Sequence, residues 1–143
     1  METSLWDHIL RAKKAYSRSL EPVCRRWGLT RNELDVVLFL ANNPGYDRAA
    51  DIVERRGIAK SHVSLSVGSL ERRGFLARRF EPRDRRAAHL KLTEAALPAA
   101  AEGQQAQRDF FAGLLRGLTT EETAQWRRVL EIILHNIEGM EDQ

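Results

Sequence analysis

At Gly74 the spacing of the apolar residues changes. Before it, "AKSHVSLSVGSLERRG" places Val63, Val67 and Leu70 at i, i+4 and i+7, one stripe of an amphipathic helix stopped by a glycine. After it, "FLARRF" and "AAHLKL" read as two short strands, the second with Ala88, Leu90 and Leu92 on one face and His89 and Lys91 on the other. Pro82 falls in the connection, where a missing amide donor is harmless. Upstream, "RAADIVERRG" reads as a shorter helix with Ala49, Ile52 and Val53 inside and Gly57 as terminator. Two helices joined by a short turn and followed by a hairpin with a charged tip make a winged helix-turn-helix. The fold class expected is mostly α, with a small β element (α+β).

The remaining segments read as helices. Leu5, Ile9, Tyr16 and Leu20, with Trp6 and Leu10 beside them, follow helical spacing up to Pro22, where a first helix is expected to end. Thr30 and Glu33 stand at capping-box spacing before the buried run Leu34, Val37, Leu38, Leu40 and Ala41, and "NNPG" closes that helix. Thr93 caps a further helix, whose Pro98 is expected to bend it or delay its start, and whose apolar end is Phe110, Phe111, Leu114, Leu115 and Leu118. Thr119 and Glu122 repeat the capping-box spacing ahead of a last long helix striped by Trp126, Val129, Leu130, Ile133 and Ile137.

Charge concentrates on the winged segment. Residues 55–86 carry ten basic and three acidic side chains, whereas residues 93–143 carry four basic and nine acidic, although the whole chain is only +3. Such a block is the electrostatic footprint of a polyanion-binding face. A winged module that only binds other proteins is the alternative, and it has no need of this concentration of charge.

If Val63, Val67 and Leu70 are buried, Lys60, Ser61, His62, Ser64, Leu65, Gly68 and Ser69 turn outward or to the flanks. Short side chains let a helix backbone approach the major groove, hydroxyls and imidazole reach base edges or phosphates, and Leu65 can touch a thymine methyl. The hairpin tip carries Glu81, Arg83, Asp84, Arg85 and Arg86. An arginine at a wing tip can enter a narrow minor groove, and a neighbouring carboxylate can orient it. Arg86 is assigned that role, with Asp84 as its positioner and Arg83 and Arg85 on phosphates.

The continuous stretch "KSHVSLSVGSLERRGFLARRFEPRDRRAAHLKLTEAA" resembles the MarR (multiple antibiotic resistance regulator) family of bacterial transcription factors. Glu81, Arg83, Asp84, Arg85, Arg86, Leu92 and Thr93 carry the wing pattern, with Glu81 in place of the more usual aspartate. Leu65 stands where a basic or polar residue is common, and Ser66 where an apolar one is usual. The resemblance implies a homodimer held by the first and last two helices, with two winged domains on adjacent major grooves of a pseudo-palindromic double-stranded DNA site. On that reading residues 1–29 are a dimerisation helix and linker, 30–92 the winged domain, and 93–143 further dimerisation helices. It also implies a small aromatic or anionic effector, for which Trp6, His8, Tyr16, Arg26 and Trp27 could line a crevice. Repression is expected over activation, because a dimer seated on promoter DNA obstructs polymerase without further contacts.

Other chemistries find no support in the sequence. Four scattered histidines, no glycine-rich loop after a strand and no base partner for Cys24 leave no catalytic residue, metal site or cofactor to name. Cys24 lies beside Pro22, Arg25 and Arg26, so a redox-sensing regulator is the second alternative, although this position does not match the hydroperoxide sensors' cysteine early in the first helix. No membrane association is expected, since no run of about 18 apolar residues exists. With a single cysteine, a cytoplasmic protein is expected.

Overall fold

The structure, a computed structural model, describes residues 2–141, with the side chains of Glu2, Thr3, Arg85 and Arg86 outside that description. In chain order the elements are α1 (Glu2–Trp27), α2 (Arg31–Asn42), α3 (Ala49–Arg56), α4 (Lys60–Arg72), β1 (Leu76–Glu81), β2 (Asp84–Leu92), a 3-10 turn (Glu94–Ala96), α5 (Leu97–Leu114) and α6 (Thr120–Glu141). They divide into two units, Met1–Arg108 and Asp109–Gln143.

The first unit is built on α2. Leu34, Val36, Val37, Leu38, Phe39 and Leu40 are all buried, so this short helix is apolar nearly all round and must be covered on every side. Leu20 and Val23 of α1 cover it, as do Ile52 of α3, Val63, Val67 and Leu70 of α4, Leu76 and Leu90 of the hairpin, and Ala99 and Ala100 of α5. The capping box forms as read: the Glu33 amide donates to Thr30 Oγ1 and the Thr30 amide to Glu33 Oε1, each at 3.1 Å.

Three expectations need correction. α1 does not stop at Pro22 but runs to Trp27, and Gly28, at φ 61°, terminates it. A proline inside a helix forfeits one backbone hydrogen bond at a cost of about 3 kcal/mol; burying Leu20 and Val23 on either side of it offsets that cost. Ala49 is exposed, because α3 begins there and turns only Ile52 fully inward, with Val53 half-buried. Thr93 lends no side-chain cap; its hydroxyl donates to the Gly74 carbonyl, and a 3-10 turn precedes α5. Pro98 therefore sits in the first turn of α5, where its missing donor costs nothing.

The hairpin is antiparallel, with Leu76 opposite Leu92, Arg78 opposite Leu90, Arg79 opposite His89 and Phe80 opposite Ala88. Leu76, Arg78, Leu90 and Leu92 thus share the face toward the core, and Arg79, His89 and Lys91 the other. The register shifts between Phe80 and Glu81, so that Glu81 pairs with Asp84 and the turn shrinks to Pro82 and Arg83. Asp84, Arg85 and Arg86 belong to β2 rather than to a loop.

The second unit comprises the end of α5, a turn at Gly117 (φ 90°) and α6, with the Thr119–Glu122 capping box formed. No described residue of α6 is buried, although Trp126, Val129, Ile132, Ile133, Leu134 and Ile137 lie along it.

α5 approaches α2 closely at Gly103. A Cβ built there would lie 2.8 Å from Leu38 Cδ2 and 3.3 Å from Leu34 Cδ1, both fixed in the core. Gly103→Ala is therefore expected to lower the unfolding free energy by about 1–3 kcal/mol, despite the better helix propensity of alanine. Urea denaturation checks this, and an unchanged or raised midpoint contradicts the close approach.

Candidate nucleic-acid interface

α4 presents two chemically distinct sides. Val63, Ser66, Val67 and Leu70 are buried, and Lys60, Ser61, His62, Ser64 and Leu65 are exposed. Leu65, at 68% exposure, stays on the outer side despite being apolar, and Ser66 takes an inner position. The helix is oriented by its stripe of three branched residues rather than by residue 65 or 66 alone. Its start has no side-chain cap at Ala59 and no acid in the first turn, so the helix itself supplies no carboxylate to its positive end.

Ser69 has a different place from the other residues named on this helix. It is half-buried, and its hydroxyl donates to Glu33 Oε2 at 3.1 Å. Glu33 is itself buried, with the Arg73 guanidinium 3.6 Å away; Arg73 also donates to the carbonyls of Trp27 and Gly28. One carboxylate thus joins the start of α2 to α4, and through Arg73 to the end of α1. A groove of about 360 Å3 runs beside this junction, lined among others by Thr30, Asn32, His62, Leu65 and Arg72. Arg72 and Arg73 belong to the basic block of residues 55–86, whereas nothing in the charge pattern marks Asn32. The available signal was the capping box itself, since a helix start placed against α4 exposes its second residue on the same side.

The wing is tied to α4. Arg78 Nε donates to Glu71 Oε2 at 2.6 Å, and Thr93 closes the base of the hairpin through the Phe75 carbonyl at 3.1 Å. Arg83 and Asp84 are exposed at the tip. The side chains of Arg85 and Arg86 lie outside the described residues.

The five residues expected to line an effector crevice are not gathered in one. Trp6 and His8 sit on the exposed first half of α1, about 15 Å and about 12 Å along the axis from Tyr16 at 1.5 Å per residue. Arg26 and Trp27 both donate to the Glu102 carboxylate on α5, Arg26 at 2.9 Å. Tyr16 borders a cleft of about 330 Å3, which it shares with Lys13, Ser17, Arg31, Asp35, Arg56 and Gln107 among others. There Arg31 stacks over the Tyr16 ring at 5.1 Å and pairs with Asp35 at 3.0 Å, and the Tyr16 hydroxyl accepts from Gln107 at 2.7 Å.

Cys24 is half-buried, and burial pushes its thiol pKa up; Arg31 opposes this, while Asp35, Glu21 and Glu33 reinforce it. A raised pKa leaves less thiolate at neutral pH, the reverse of what a reactive sensor cysteine needs. Among the described residues, no group of three or more His, Cys, Asp or Glu side chains is placed to hold a metal ion. Nor is any helix there long and apolar enough to cross a membrane.

Comparison with known proteins places this geometry. Residues 27–87, from the end of α1 into β2, match the model of the MarR family. The chain is 27% identical over 137 residues to the HTH-type transcriptional repressor IacR of Pseudomonas putida, covering 92% of this chain and 78% of that one. A MarR family transcriptional regulator from Listeria monocytogenes, solved with a 26mer DNA, superposes with a TM-score of 0.79 at 19% identity over 93% of this chain and 87% of that one. BpsR of Bordetella bronchiseptica, whose DNA binding is regulated by 6-hydroxynicotinic acid, does so with a TM-score of 0.70 at 20% identity over 91% and 98%.

The separation of roles along α4 is testable by stability. Ser69→Ala is expected to cost about 1 kcal/mol, because it leaves a buried carboxylate short of a donor. Ser64→Ala, on the exposed side, should stay within about 0.5 kcal/mol of the parent. Equal effects in urea denaturation would contradict the assignment of Ser69 to the Glu33 junction.

Proposed function

We propose that the chain is a regulator of the MarR family, whose model residues 27–87 match, and that it is a sequence-specific double-stranded DNA-binding transcriptional repressor, acting as a homodimer on a pseudo-palindromic site. The observation that carries the reading is the pairing of an uncapped helix, polar and small on its exposed side, with an arginine-rich hairpin fixed to it through Arg78 and Glu71. Lys60, Ser61, His62, Ser64 and Leu65 face the major groove. Ser69 contributes from behind by holding α4 to α2. Arg83 and Arg85 neutralise phosphates, and Arg86, oriented by Asp84, enters the minor groove. Backbone contacts of this type set register and orientation, while the side chains of α4 read base edges.

Dimerisation is supported by what a single chain leaves uncovered. Leu5, Trp6, Ile9 and Leu10 on α1, Phe111 and Leu114 on α5, and the apolar residues of α6 are exposed. Exposed apolar surface of this kind, present on each unit taken by itself, marks an interface, and a two-fold pairing covers it with a copy of itself. In this arrangement residues 1–29 and 93–143 dimerise, and residues 30–92 bind DNA.

Release by a small anionic or aromatic effector completes the reading. The cleft bordered by Tyr16 supports it: Lys13 and Arg56 supply positive charge beyond the Arg31–Asp35 pair that also lines it. The regulation of BpsR by 6-hydroxynicotinic acid, an aromatic acid, is in keeping with a ligand of this chemistry. Of the five residues named for this role from sequence, Tyr16 is the one retained.

Duplex binding measured by fluorescence anisotropy against salt tests the function. Affinity should fall steeply as salt rises, and Arg83→Ala or Arg86→Ala should weaken binding and reduce the slope of log K on log salt by about one. Neither should shift the thermal midpoint. Binding indifferent to salt would favour a protein-interaction module instead.

A further inference from the structure

On the outer face of the hairpin, His89 lies between two carboxylates. Its Nδ1 is 2.8 Å from Asp47 Oδ1, in the loop between α2 and α3, and its Nε2 is 3.3 Å from Glu81 Oε1, beside the turn of the wing. Nε2 is buried and has no hydrogen-bond partner. The same loop is held to β2 by the backbone, where the Leu90 amide donates to the Asp47 carbonyl at 2.7 Å.

The protonation of the ring follows from these partners. A carboxylate only accepts, so the Nδ1 contact requires a proton on Nδ1. In the neutral ring Nε2 is then a bare lone pair turned toward the oxygens of Glu81, which repels. A proton on Nε2 makes that contact attractive, and a small turn of the exposed Glu81 side chain then completes a charge-assisted hydrogen bond that joins both carboxylates to one imidazolium. The other charged groups around the ring are Arg79, its cross-strand partner on β1, and Lys91, two residues along β2. The end of α2 offers only uncharged Asn43 and Pro44, and the Asp51 carboxylate of α3 accepts from the Arg48 amide.

We propose that His89 is a positioning residue for the wing, whose second proton ties Glu81 to Asp47 and so holds the arginine-bearing end of the hairpin against the body of the winged domain. Loss of that proton frees Glu81 and lets the tip swing about the base fixed by Arg78 and Thr93. The consequence for DNA rests on the DNA-binding reading above: wing contacts should be made more tightly at mildly acidic than at mildly basic pH. The strap itself rests only on the geometry of Asp47, His89 and Glu81.

Hydrogen exchange of the full chain, corrected for intrinsic rates, tests the strap at about pH 5.5 and about pH 8. In the parent protein the amides of Leu90 and of β1 should be roughly three- to tenfold better protected at the lower pH, the worth of one charge-assisted hydrogen bond. His89→Gln should abolish the pH dependence. Glu81→Gln should give at the higher pH the protection that the parent reaches only at the lower, because its amide can donate to the bare Nε2. The same pH dependence in His89→Gln, or a Glu81→Gln protein indistinguishable from the parent at the higher pH, overturns the proposal. A parallel titration with a mixed-sequence duplex should show a larger pH dependence of affinity in the parent than in His89→Gln, with His62 common to both. A parent that binds no duplex at either pH overturns the DNA-binding reading instead, and the exchange result still decides the strap.

Discussion

The buried carboxylate of Glu33 is the contact on which the arrangement of helices depends. It closes the first turn of α2 through Thr30, receives the Ser69 hydroxyl from α4, and lies near Arg73, which in turn grips the last carbonyls of α1. A buried charge is tolerable only when its oxygens are satisfied, and here the partners come from the N-cap of α2 and from the last turns and C-cap of α4. The angle between α2 and α4 is therefore set by a polar contact with directional requirements as well as by the packing of Val63, Val67 and Leu70. That is what gives a helix with small, exposed side chains a defined presentation.

Stiffness decreases outward from this junction. α2 is enclosed on all sides, and α5 meets it so closely that only glycine fits at position 103. The base of the hairpin is bound to α4 through Glu71 and to the start of α5 through Thr93. Beyond Phe80 the register shifts, and the hairpin's further attachment is the cluster around His89. An interface that must track the groove of a duplex is well served by a rigid helix and a wing with one adjustable anchor. α6, with none of its described residues buried, is stabilised in this account by a second copy of the chain.

Much of this was legible in the residues because the signals are local. Two capping boxes, the glycine stops at Gly57 and Gly74, the stripe on α4 and the alternation from Ala88 to Leu92 each depend on neighbours within a few positions, and each has its expected form. The misreadings concern what only tertiary packing decides. Pro22 carries a real local penalty, but Leu20 and Val23 have a core to enter, so α1 continues past it. Ser69 looks like any outward serine until α2 brings a carboxylate beneath it. Trp6, His8, Arg26 and Trp27 are aromatic or charged residues of the right type for a ligand, yet two to three turns of helix separate the first pair from Tyr16, and Glu102 accepts from the second. His89 drew notice only as the solvent side of a strand, because its two partners are 42 residues before it and across a shifted register.

The central claim, that two winged units read one duplex, is tested most directly by selecting bound fragments from a random pool of duplex DNA and sequencing them. The account predicts an enriched inverted repeat whose half-sites are centred about 10 base pairs, or a multiple of that helical turn, apart. Enrichment of a single unpaired half-site, or of no sequence at all, would contradict it.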